Sequence, residues 1–72
     1  MPFRPGIDEV AARELLALAH IWRYEAELLE RRLPTPDPGA ISLRHCAWRL
    51  ELHICNGDEE AAARLAGANP YV

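Results

Sequence analysis

A chain of 72 residues suffices for one domain, near the size at which a single core supplies only a few kcal/mol of stability without disulfides, metal or oligomerisation. Eleven acidic residues outweigh eight basic ones to give a net charge of -3, and the basic residues are scattered among the acids. That pattern argues against a phosphate-binding surface, hence against nucleic acid as partner, and no run approaches the roughly 18 apolar residues of a membrane span.

No basic head and apolar segment precede a small-residue cleavage site, so the expectation is a soluble, unexported, cytoplasmic protein with no membrane partner. All eight basic residues are arginine. With the many Ala, Leu and Pro residues, this usage points to a GC-rich bacterial genome, which bears on coding and not on function.

Residues 1–7, with Pro2 and Pro5, read as an extended N-terminal arm anchored by Phe3. From 8 to 33 the spacing predicts one long helix, with Asp8 as N-cap, Glu9 in the first turn and Pro34 as the stop. Ile7, Ala11, Leu15, Leu18, Ala19, Trp22, Ala26, Leu29 and Leu33 fall on one face. Val10, Ala17, Ile21 and Leu28, with Tyr24 beside them, form a second ridge. One neighbour needs an apolar arc of a little over 100°, and this helix offers roughly twice that. Arg13, His20, Arg23, Glu27 and Arg31 make up the expected solvated sector.

Pro34 to Gly39 reads as a stiff turn between antiparallel helices, with Asp37 and Pro38 as cap and first position of a second helix running to about 56. Residues 43–55 also alternate in polarity as a strand would. Helix is preferred because a lone strand would need pairing across subunits. Leu43, Cys46, Ala47, Leu50 and Ile54 form one helical stripe, with Ile41, Trp48, Leu52 and Cys55 opposite. Gly57 is expected at the left-handed C′ position, Asp58 caps a short third helix over 59–67, and 68–72 is a tail.

The expected architecture is therefore all-α: an antiparallel helical hairpin plus a short third helix, one domain over 1–72, completing its bundle by oligomerisation. Cys46 and Cys55, about 13 Å apart along a helix, cannot pair with each other and are expected to be buried thiols. No histidine lies three or four residues from another histidine or a cysteine, so no helical metal pair is predicted, and neither a metal nor another cofactor is expected. There is no glycine-rich phosphate loop and no Gly-x-Ser-x-Gly turn, so no catalytic residue is assigned and no enzyme is expected.

The expected function is a small protein–protein interaction module, an adaptor, regulator or structural subunit acting as a homodimer or bound to a larger protein. Ile21, Tyr24, Leu28, Trp22, Trp48 and Leu52 are the candidate partner interface, with the two tryptophans meeting near the central contact. The alternative is a dimeric DNA-associated regulator using the Arg44, His45 and Arg49 side of the second helix. A metal-binding carrier or sensor assembled from His20, His45 or His53 is the third.

Overall fold

A computed structural model describes residues 3–32 and 36–68. Met1 and Pro2 of the arm, Leu33, the stop at Pro34, Thr35, and all of the expected 68–72 tail except Ala68, which ends the third helix, lie outside the described residues. The chain is all-helical: α1 (Glu9–Arg32), α2 (Pro38–Ile54) and α3 (Glu59–Ala68), with no strand among the described residues. Residues 43–55, the alternative strand, fall in α2 and the turn that ends it. The three helices fill an elongated body of 41 × 19 × 18 Å.

Each helix begins where a short acid can satisfy orphaned N–H groups. Asp8 Oδ1 accepts from Ala11 N at 2.7 Å, Asp37 Oδ1 from Gly39 N at 2.8 Å, and Asp58 Oδ1 from Ala61 N at 3.0 Å. The end of α2 departs from expectation. Cys55 is the C-cap and Asn56 takes the left-handed C′ position at φ 56°, followed by Gly57 at φ 85°. Gly57 N donates to Leu52 O at 2.8 Å and Asn56 N to His53 O at 3.2 Å, the paired bonds that close a helix when C′ is left-handed. The helix therefore stops two residues before 56, because Asn56 tolerates the conformation first assigned to Gly57.

The N-terminal arm is likewise more than extended chain. Ile7 N donates to Arg4 O at 3.0 Å across Pro5 and Gly6, whose φ of 92° marks a turn needing glycine at its third position. Arg4 then ties the arm to the end of α2, its backbone N donating to Ile54 O at 2.7 Å and its Nε to His53 O at 3.0 Å.

The fully buried positions are mostly alanine: Ala12, Ala19 and Ala26 on α1, then Ala40 and Ala47 with Ile54 on α2. Each set recurs every seven residues, two helical turns, so each helix presents a line of small side chains to the other. Ala12 is the member that a hydrophobicity-weighted face omits. The larger residues of that face, Leu15, Trp22 and Leu29, are half-buried at its edges, and Leu18 is exposed.

One charged pair lies inside this seam. Glu51, fully buried, accepts from both Nη atoms of Arg23 at 2.5 Å in a two-pronged bridge between α1 and α2. Arg23, expected on the solvated face, turns inward because the Glu51 carboxylate is there to neutralise it. The hydrogen bond to Glu51 raises the arginine's pKa, against the opposing effect of burial. Toward the linker, Arg44 donates to both Glu30 oxygens at 2.8 and 3.1 Å and holds that carboxyl below its ordinary value. That pair is exposed, so its energetic contribution is small.

Helix α3 packs on α2. Cys55, Ala61 and Ala62 form a buried cluster, and Trp48, Leu52 and Leu65 close around it.

Candidate interaction surface

Turning α1 by about 180° from its buried alanines brings the ridge of Val10, Ala17, Ile21, Tyr24 and Leu28 to the fore. Because α2 occupies the alanine side and α3 packs on α2, most of this line faces outward. Val10 is 66% exposed, Ile21 49% and Tyr24 54%, while Ala17 and Leu28 are half-buried. From Val10 to Leu28 the ridge runs eighteen residues, roughly 27 Å. Glu14 and Glu25 edge it on one side, with exposed Leu18 beside them.

At its Leu28 end the ridge adjoins a depression of about 250 Å³ lined by Leu28, Leu29 and Leu43, with Glu25 and Arg32 in the wall. An exposed aromatic and an apolar hollow thus lie about one turn apart on the same helix.

The other candidate residues lie elsewhere. Trp48 and Leu52 are half-buried against the α3 cluster, of which half-buried Trp22 is not a member. Ile41, on the same line of α2 as Trp48 and Leu52 but past the reach of that cluster, is 58% exposed. The structure therefore groups Ile21, Tyr24 and Leu28 on one outer face, and Trp48 with Leu52 on a second that α3 partly covers.

Of the side proposed to contact DNA, Arg44 is engaged by Glu30, whereas His45 and Arg49 are exposed. No group of three or more His, Cys, Asp or Glu residues suited to a metal ion occurs among the described residues. No helix among them is long and apolar enough to cross a membrane.

The two thiols differ, contrary to the expectation that both are buried. Cys46 is exposed, and Cys55 is buried under α3. Burial pushes the Cys55 thiol up, and the Asp58 and Glu51 carboxylates add to the shift. A thiol reagent at mildly alkaline pH should therefore label Cys46 rapidly and Cys55 only as the chain opens. Equal rates at the two sites in the native protein would contradict this placement.

A basic group at the far end of α2 escaped sequence reasoning: Arg4, Arg49 and His53 line one depression with Leu52 and Gly57. Arg49 and His53 are spaced i,i+4, which was legible. Arg4, 49 positions from His53, carried no such signal.

Comparison with models of protein families, with curated proteins and with solved structures finds no match to this chain.

Proposed function

We propose that this protein is a small interaction module, an antiparallel helical hairpin capped by a third helix, that works in the cytoplasm as a homodimer or docked on a larger protein. The contact is made by the outer ridge of α1, with Ile21 and Tyr24 as anchors and Leu28 beside the hollow at its end. One observation carries the reading: the inner seam is lined by alanine while large apolar side chains line the outer face. In a typical small domain the large side chains fill the core and supply most of its stability. Here the leucines and tryptophans of α1 and α2 are at best half-buried, so a partner is the means by which they leave water.

Completing the burial of a half-exposed Ile or Tyr contributes on the order of 1 kcal/mol each, and a ridge with several such residues reaches the range of a specific contact only if the centre packs well. Ile21→Glu places a charge at that centre. Wild type should show twice the 8.1 kDa chain mass, or a larger complex, by light scattering, and the variant the single-chain mass with its helicity kept. Leu28→Glu should behave alike. Wild type and both variants remaining equally monomeric and equally stable up to high concentration, with no protein of the host retained by wild type and lost by Ile21→Glu, would refute the reading.

A further inference from the structure

Of the eight arginines, Arg23, Arg31, Arg44 and Arg64 each meet a carboxylate, of Glu51, Glu27, Glu30 and Glu60 in turn. Two of the others, Arg4 and Arg49, converge at the far end of α2 from the linker. There they line a depression of about 230 Å³ with Leu52, His53 and Gly57, and no carboxylate among the described residues lines it. In a chain of net charge -3 this is a local reversal of sign.

The carbonyl end of a helix ordinarily repels anions. Here Arg4 covers it: its backbone N is bonded to Ile54 O and its Nε to His53 O. Those two bonds hold the half-buried Arg4 in place through its backbone N and Nε, and neither of its Nη groups is hydrogen-bonded among the described residues. Arg49 and His53 stand one turn apart on the same side of α2, within about 6 Å at their Cβ atoms.

We infer that this depression binds a small phosphate monoester. Two guanidinium groups match the double charge and the oxygens of a phosphate, to which arginine bonds through paired N–H groups. A single carboxylate would leave one of them uncompensated. Leu52 forms an apolar wall against which the organic part of the ester rests. The site lies on α2 and the arm, away from the α1 ridge, so it stands or falls independently of the proposed assembly.

The test is a titration of the full chain with glycerol 3-phosphate at fixed ionic strength, read by amide NMR shifts. Saturable shifts centred on Arg4, His53 and Gly57, with a dissociation constant near about 1 mM, are expected. Acetate should bind at least about tenfold more weakly, as expected for a site built for two charges. Arg49→Gln should weaken phosphate-ester binding by about tenfold or more, without changing the circular dichroism. Arg13→Gln, an exposed arginine on α1, serves as the control and should leave binding unchanged. Absence of saturation, equal binding of acetate, or equal losses in the two arginine variants would overturn the assignment.

Discussion

Arg23→Ala should destabilise the chain by about 3–5 kcal/mol, read as a large drop in its urea midpoint. The physical reason is the state in which it leaves Glu51. That carboxylate is fully buried, and the two hydrogen bonds it accepts among the described residues both come from Arg23. Removing one member of a buried pair costs about 3–5 kcal/mol, because the survivor stays desolvated and uncompensated. A domain of this size has roughly 4–10 kcal/mol in all, from about 0.05–0.15 kcal/mol per residue.

Arg23 keeps 22% of its side chain in contact with water, so the reverse deletion, Glu51→Ala, strands a less buried charge and should do less damage. Replacing both, as Arg23→Met with Glu51→Leu, should recover most of the stability or exceed it, since the attraction within a buried pair barely offsets its desolvation. That pattern separates a costly orphan from a strongly stabilising bridge. If Arg23→Ala shifts the unfolding free energy by less than about 1 kcal/mol, water reaches Glu51 and the pair is not enclosed.

Helix starts were legible in the sequence because their chemistry is local. Asp8, Asp37 and Asp58 each sit two or three residues before the N–H they satisfy, and each does so. The outer ridge was legible too, since its spacing is helical and its side chains are large. The inner seam was legible only in part: Ala19, Ala26, Ala47 and Ile54 lie on the expected apolar stripes, whereas Ala12 and Ala40 do not.

A hydrophobic face is weighted toward Leu15, Leu18 and Leu29, yet two helices approach most closely where side chains are smallest. What distinguishes those positions is an alanine recurring every seventh residue. Arg23 reads as solvated because it shares a sector of α1 with Arg13, His20, Glu27 and Arg31, while its partner lies 28 positions away. A usable sign lay on the facing helix: Glu51 sits four residues after Ala47 and three before Ile54, in an otherwise apolar line. A carboxylate there needs a cation from the facing helix. The basic depression needed the path of the arm, which the turn at Pro5 and Gly6 determines.

The alanine seam makes a second prediction that runs against ordinary hydrophobic reasoning. Ala19→Leu adds apolar surface at a position with no exposure, yet it should destabilise the protein by about 3 kcal/mol, the upper end of the usual overpacking range. Helix separation is set by the side chains at the contact, about 8–10 Å in ordinary pairs, and lines of alanine permit the near end of that range. Three extra carbons at Ala19 must either leave their rotamer wells or push α2 outward. Arg23 is one turn from Ala19 on the same side of α1, so an outward shift would also stretch the two-pronged bridge to Glu51.

The loss should then be less than additive with that of Arg23→Ala, because the two changes disturb one contact. Ala63→Leu on the exposed side of α3 adds the same carbons with no opposing helix and should change stability by no more than about 0.5 kcal/mol. Urea unfolding of the three single variants and of the Ala19→Leu, Arg23→Ala double variant decides it. An Ala19→Leu protein as stable as wild type would mean that α1 and α2 have room between them, and that their separation is set by the half-buried leucines at the edges of the seam.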